Sequence, residues 1–327
     1  MYDFIAIGDI VTDAFIELED SEAEVKRDDG LTKICMNFGD KIPYKEVYVI
    51  PGVGNSPNAA VSASRLGLKS ALVSDIGNDY FGRECLETLK KENLGIEFIK
   101  SHEGKKTNYH YVLLYKGERT ILIKHEEYAY DLPDIGKPRW VYLSSLGAES
   151  LSFHSVIAKY LNDNPEVKLA FQPGTYQIKF GKDSLAGIYK KAEVFFCNKE
   201  EAQKILGVKE EDIKKLLEEI SALGPKITVI TDGRNGAFVY DGEQFWQMPI
   251  YPDPSSPVDR TGAGDSFSST FTSALALGLD IPTALKWGPI NSMSVVQQIG
   301  ARAGLLTREK LEEALAKAPV GYEPRLI

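Results

Sequence analysis

Apolar residues fall along this chain in short runs separated by longer amphipathic stretches. Phe4-Ile5-Ala6-Ile7, Ala71-Leu72-Val73-Ser74, Trp140-Val141-Tyr142-Leu143, Lys168-Leu169-Ala170-Phe171, Val194-Phe195-Phe196 and Ile227-Thr228-Val229-Ile230 each read as a short strand. Between them the spacing turns helical. One helix is predicted from near Ser56 to Gly67, and another opens at Asp280-Ile281-Pro282, with Asp as N-cap and Pro in the first turn. A third carries Phe267, Phe271, Ala274, Leu275 and Gly278 on one stripe. This alternation predicts an α/β fold whose mainly parallel sheet is covered by helices on both faces, with a mostly helical C-terminal quarter.

Two segments break the rhythm. Residues from about 14 to 50 mix charges with alternating apolar positions and have little helical character. Residues from about 107 to 124 alternate as exposed strands do, through Tyr109-His110-Tyr111-Val112-Leu113-Leu114-Tyr115, a turn at Lys116-Gly117, and Arg119-Thr120-Ile121-Leu122-Ile123. Half-polar strands of this kind suit a small antiparallel sheet with one face turned away from the core. The charge run from Glu17 to Lys41 reads as a solvated face.

Composition narrows the classes of partner. The 327 residues are 43% hydrophobic and 26% charged, the balance of an ordinary globular protein. A net charge of −9 with no basic stripe argues against nucleic acid. No uncharged apolar stretch approaches the ~18–20 residues of a membrane span. The opening Tyr2-Asp3-Phe4-Ile5-Ala6-Ile7-Gly8 reads as a strand rather than a signal peptide, and the three scattered cysteines (Cys35, Cys85, Cys197) suit a reducing compartment. A cytoplasmic protein is expected.

The densest chemical signal is Asp259-Arg260-Thr261-Gly262-Ala263-Gly264-Asp265-Ser266-Phe267, which follows a Pro-rich loop and opens a helix. The first N–H groups of a helix have no partner within it, and together with the dipole they attract an anion. Gly262, Ala263 and Gly264 let a phosphate approach that backbone closely. Asp265 would be a poor neighbour for phosphate unless it has chemical work to do. Its natural role is general base, taking the proton of a hydroxyl as that oxygen attacks a phosphoryl group; its structural alternative is dipole-complementing capping of the first turn.

Other constellations lie where strands end. Gly8-Asp9-Ile10-Val11-Thr12-Asp13 places carboxylates at the carboxyl end of the first strand, where open α/β sheets bind ligands and where an acid can accept bonds from two hydroxyls. A turn-forming role is equally open. Pro51-Gly52-Val53-Gly54-Asn55-Ser56-Pro57-Asn58 leads into a helix, with glycines permitting close approach and Asn58 able to meet a hydroxyl. Asn198-Lys199-Glu200-Glu201 has the form of a capping box. Thr231-Asp232-Gly233-Arg234-Asn235-Gly236 follows a strand and reads as a turn between two strands that could also line a nucleotide.

These stretches together resemble the signatures of the PfkB (ribokinase-like) family of carbohydrate and nucleoside kinases, in order across nearly the whole chain. The resemblance implies a ribokinase-like three-layer α/β/α fold, with a mainly parallel central sheet, over one kinase domain of residues 1–327. Segments 14–50 and 107–124 would form a small β lid, in such proteins often also the homodimer contact. It implies ATP as co-substrate and Mg²⁺ as cofactor, with Asp265 as catalytic base and Gly262, Ala263 and Gly264 as an anion hole. Asp13 matches the sugar-binding acid, with Asp9, Gly54, Asn55 and Asn58 as further substrate contacts. Asn198, Glu201, Thr231, Gly233, Gly236 and Asn291 fall at nucleotide positions. Glu201 would act on Mg²⁺ through water, and Asp259 and Thr261 match positions that hold a monovalent cation such as K⁺.

The chain departs from the pattern in places. Val53 stands where the first signature has glycine, Val11 where ribokinase-like members carry Asn, and Gln172 where Asn or Asp is more usual. The acceptor therefore stays open between a nucleoside such as adenosine and a furanose or keto sugar. There is no Gly-x-x-x-x-Gly-Lys-Ser/Thr loop, and Phe267 occupies the third-glycine place of a dinucleotide fingerprint. The histidines (His102, His110, His125, His154) show no metal spacing and call for no catalytic role. A non-catalytic nucleotide or sugar sensor and a nicotinamide-dependent enzyme are the readings from other classes.

Overall fold

The computed structural model describes residues 1–28 and 30–327. The chain opens with β1 (Phe4–Ile7) and β2 (Val11–Leu18), then a hairpin of β3 (Glu24–Asp28) and β4 (Leu31–Cys35), then β5 (Tyr44–Val53) and α1 (Asn55–Arg65). β6 (Ser70–Gly77), α2 (Tyr80–Lys91), β7 (Ile99–His102), β8 (Asn108–Tyr115) and β9 (Glu118–Leu122) follow. The regular alternation resumes with β10 (Trp140–Leu143), α3 (Leu151–Asp163), β11 (Lys168–Phe171), and the short α4 (Thr175–Phe180) and α5 (Ala186–Tyr189). β12 (Ala192–Asn198), α6 (Lys199–Leu206), α7 (Ile213–Ser221), β13 (Ile227–Thr231), β14 (Ala237–Tyr240) and β15 (Phe245–Met248) come next. The chain finishes with α8 (Ala263–Ala276), α9 (Ile281–Val296), α10 (Arg308–Ala316) and β16 (Arg325–Leu326).

The central sheet has the order β16-β15-β14-β13-β12-β11-β10-β1-β6-β7. It is parallel from β7 through β13 and antiparallel across β14, β15 and β16. Alternate residues of β1 serve different cores, as a period of two requires. Phe4 and Ala6 pack with α1, α8 and α9, while Ile5 and Ile7 pack with α3 and α7. All four are buried, the mark of a strand covered on both faces. This is the three-layer α/β/α arrangement that the alternation predicts. The strand order reverses beside β1, with β6 on one side and β10 on the other, so the carboxyl ends of β1 and β10 flank a crevice.

Local sequence explains the helix starts around that crevice. Asn198 and Glu201 form the expected capping box on α6, with reciprocal bonds of 2.8 and 2.9 Å. Asp280 caps α9 by accepting the Thr283 N–H at 2.9 Å. α1 begins at Asn55, beside the expected Ser56, and ends at Arg65 rather than at Gly67, which lies beyond it at φ +94°. Both helices bury many small residues, Ser56, Ala59, Ser62 and Ala63 on α1 and Ser266, Ser269, Thr270 and Ser273 on α8. Small side chains let the two helices come close, and Ser62 and Thr270 hydroxyls lie 3.4 Å apart. That close pairing brings the start of α1 to the start of α8.

The two segments that break the rhythm form a four-stranded sheet of order β5-β2-β8-β9, with the solvated hairpin of β3 and β4 beside it. It starts at Val11, slightly before the expected residue 14. β2 and β8 run parallel, with Asp13 opposite His110 and Phe15 opposite Val112. The register places Asp13, His110, Arg119 and Ile121 on one face. That face looks over the crevice. The other face carries exposed Val47, Val49, Tyr111 and Leu122.

Candidate active site

A cavity of about 650 Å³ lies between the lid sheet and the carboxyl ends of the central strands. Asp265 sits on its floor, in the first turn of α8. One carboxylate oxygen accepts the Asn55 amide at 2.7 Å and the Gln172 amide at 3.1 Å, and the other accepts Asn58 at 3.4 Å. Gln172 is itself held by the buried Tyr142 hydroxyl. Burial pushes the Asp265 carboxyl above its ordinary range, and the three amide donors oppose that rise without cancelling it. A carboxylate destabilised in this way and fixed in one rotamer suits proton abstraction.

Gly262 caps α8 in the left-handed region, at φ +80°. A side chain there would also collide with Ala301, whose Cβ lies 2.3 Å from the position a Cβ would take. Gly264 has the opposite surroundings, with open space where a Cβ would stand. Among the first-turn amides, the Ala263 N–H turns back to the Arg260 carbonyl at 3.4 Å, while Gly264 leaves the backbone open toward the cavity. Behind them Asp259 is 2% exposed and ties the loop together. It accepts Thr261 N–H at 2.9 Å and the Thr261 hydroxyl at 2.7 Å on one oxygen, and Gly300 N–H at 2.9 Å on the other.

A second cavity, of about 320 Å³, adjoins the first. Gly233, Gly236, Tyr251, Phe267, Pro289 and Met293 are among its walls, an apolar slot with a glycine turn at one edge. The turn from Thr231 to Gly236 joins β13 to β14, as its sequence predicts, and Gly236 takes φ +89° against the Met248 carbonyl. Thr231, Arg260, Ala263 and Gly264 line both cavities, so the start of α8 is the passage between them. Asn198 and Glu201 line the larger cavity, near that passage. Burial raises the Glu201 carboxyl, and the neighbouring charge of Asp265 raises it further. A cation would relieve both, so the donor set fits Mg²⁺ held through water and phosphate. Among the described residues no cluster of three or more His, Cys, Asp or Glu side chains could hold a metal alone.

Asn291, expected at the nucleotide, is placed elsewhere. It is fully buried, its amide donating to Thr270 at 2.7 Å and its carbonyl accepting Leu306 N–H at 2.9 Å; its neighbours Ser292 and Met293 reach the slot instead. A buried amide must satisfy its hydrogen bonds, and at Asn291 the protein itself does so.

The larger cavity gathers the residues of the first two motifs, with one difference at Asp9. Asp13, Gly54, Asn55 and Asn58 line the cavity as read from the sequence. Oδ1 of Asp13 and Oδ1 of Asn58 are buried without a hydrogen-bond partner. Asp9 also borders it but is 4% exposed, and its carboxylate is occupied by His125 and Tyr130. His110 and His125, to which the sequence gives no role, both line the cavity, with rings 5.2 Å apart. Arg119, Arg260 and Gln172 are among the further cavity residues that the sequence left without a function. Their signal was the lid's alternation and the motif's own Arg260, neither of which names a partner.

The model of the pfkB family carbohydrate kinases matches residues 40–308. The chain is 31% identical to the cytidine kinase of Thermococcus kodakarensis, over 77% of this chain and 89% of that one. It is 26% identical to the ribokinase of Bacillus subtilis, over 85% and 92% respectively. Among solved structures, the ribokinase of Arabidopsis thaliana complexed with ribose and ATP superposes with a TM-score of 0.78 at 20% identity, covering 96% of this chain and 98% of that one.

Proposed function

The chain belongs to the pfkB family of carbohydrate kinases, and from that premise we propose that Asp265 is the general base of an ATP-dependent transfer to a hydroxyl of a small sugar or nucleoside. The observation that carries this reading is the placement of one carboxylate. Asp265 lies at the floor of a polar cavity, held by Asn55, Asn58 and Gln172, beside the helix start that connects that cavity to an apolar slot.

ATP fits the slot, its base against Tyr251, Phe267 and Met293 and its phosphates directed along the Gly233 turn toward the start of α8. The acceptor fits the larger cavity, with the unpartnered oxygens of Asp13 and Asn58 taking its hydroxyls. Asp265 accepts the proton of the attacking hydroxyl. The N–H groups of Gly262, Ala263 and Gly264 face the charge that builds on the transferred phosphoryl group, and Arg260 adds a positive charge at the passage. Glu201 would hold Mg²⁺ through water, and the ion when bound would supply further neutralisation of phosphate charge. Asp259 and Thr261 fix the loop behind these amides, where a bound K⁺ would act on the same N–H groups. The lid face above excludes water from the reacting groups.

One observation favours a nucleoside over a plain sugar. Ile121, Ile123 and Tyr176 give the outer part of the cavity an apolar surface that a base would cover. The deciding experiment measures Mg-ATP-dependent ADP formation with D-ribose, D-fructose, cytidine and adenosine. Turnover with one of them is expected, and retained ATP binding with no turnover on any acceptor would favour a sensor.

A further inference from the structure

The acceptor cavity has a wall that the reaction above does not use. His125 lies just beyond β9, and its Nδ1 is 2.9 Å from Oδ2 of Asp9 at the end of β1. The Tyr130 hydroxyl donates to the same carboxylate at 3.0 Å and accepts the Gly147 N–H at 3.0 Å. Gly147 closes this group from behind: a side chain there would come within 2.8 Å of the Tyr130 hydroxyl oxygen. Tyr176 stands edge-on to the His125 ring, with centroids 5.6 Å apart. The imidazole is thus fixed in position and in plane, and in its neutral form also in tautomer, because a carboxylate can only accept and Nδ1 must then carry the proton. Nε2 is left as an acceptor in a cavity whose other lining includes Asp13, His110 and Gln172. His110, on β8, is not held in this way: its Nδ1 lies 3.4 Å from Oδ1 of Asp13 without forming a hydrogen bond, and its Nε2 is buried without a partner.

We propose that His125 is a specificity-determining residue of the acceptor site, receiving a hydrogen bond from an acceptor hydroxyl at Nε2, and that Asp9 and Tyr130 are positioning residues that act through it. The selected acceptor bears adjacent hydroxyls, one answered by His125 from the lid's exit and its neighbour by Asp13. Asp9 is then not a substrate ligand. Its oxygens serve two protein donors and it is almost wholly buried, whereas Asp13 and His110 keep unpaired atoms. This rests on the kinase reading for the identity of the cavity, but the wall's geometry stands without it.

The test uses the full chain and two readouts. In the first, acceptor KM, ATP KM and kcat are measured with whichever of D-ribose, D-fructose, cytidine and adenosine is phosphorylated. The wild type is compared with His125→Ala, Asp9→Asn, Tyr130→Phe and the Asp9→Asn/His125→Ala pair. His125→Ala is expected to raise acceptor KM by ~10–100-fold, the worth of one well-aligned buried hydrogen bond, while ATP KM and kcat change little. Asp9→Asn raises the same KM alone and adds nothing in the paired variant, since it acts through His125. An unchanged acceptor KM in His125→Ala, or additive effects in the pair, overturns the proposal. Tyr130→Phe keeps the test alive if Asp9→Asn does not fold.

In the second readout, nitrogen NMR of labelled histidine reports the tautomer, and no turnover is needed. His125 is expected with its proton on Nδ1, with an Nε2 resonance that moves when one of the four acceptors is added with ADP. A proton on Nε2, or no movement with any acceptor, overturns it. Movement of Nε2 without turnover on any acceptor would leave the wall intact and remove the kinase reading; turnover without movement would do the reverse.

Discussion

Asp265 illustrates how a single carboxylate can be read locally and yet be built from afar. Its place in the first turn of a helix after Gly-Ala-Gly was plain in the sequence, and the base role proposed for it starts from that placement. The amides that orient it were not. Asn55 is 210 residues away and Gln172 is 93 away, and no local pattern links them to it. The same holds for His125, which reaches Asp9 across 116 residues and shows no motif of its own. Burial raises the Asp265 carboxyl, and a base must be ionised to act. Turnover is therefore expected to fall as pH drops through that raised value, so the acid limb of kcat lies above the ~3.9 of an ordinary aspartate. A steady-state pH profile checks this, and an acid limb at or below the ordinary value contradicts it.

At the scale of elements, the site depends on two contacts that hold backbone rather than substrate. The start of α8 can lie against Ala301 only because Gly262 has no side chain and takes a positive φ. Gly262→Ala is expected to cost about 1–3 kcal/mol in urea unfolding and to lower kcat by on the order of 100-fold through displaced amides. Wild-type stability and turnover in that variant would contradict the account of the helix start. The lid is tied to the same loop. Arg302, buried, donates to the carbonyls of Gly52 at 2.9 Å and Pro51 at 2.8 Å, at the foot of β5, and the Gly300 amide two residues earlier is held by Asp259. Strand and helix identities were legible because periodicity is local. The lid's register was not, since a shift of one residue would turn Asp13 and His110 away from the cavity, and only the paired strands settle it.

Over the whole molecule, the sheet's order puts the site where the strand sequence reverses, at the carboxyl ends of β1 and β10. The alternation of short apolar runs with amphipathic stretches was enough to predict a parallel sheet with helices on both faces. It could not predict that two cavities, one polar and one largely apolar, would meet at four residues of the central motif region and β13. On the proposed reading that division would let one chain hold a polyol and a nucleotide end to end, with Asp265, which lines the larger cavity, on the acceptor side. The most direct test is kcat for Asp265→Asn against wild type, on an accepted sugar or nucleoside, with nucleotide affinity measured in parallel. A fall of ~10²–10⁴ in kcat with ATP affinity nearly unchanged is the expected result. Turnover close to wild type in the variant would contradict Asp265 as the base and, with it, the central claim.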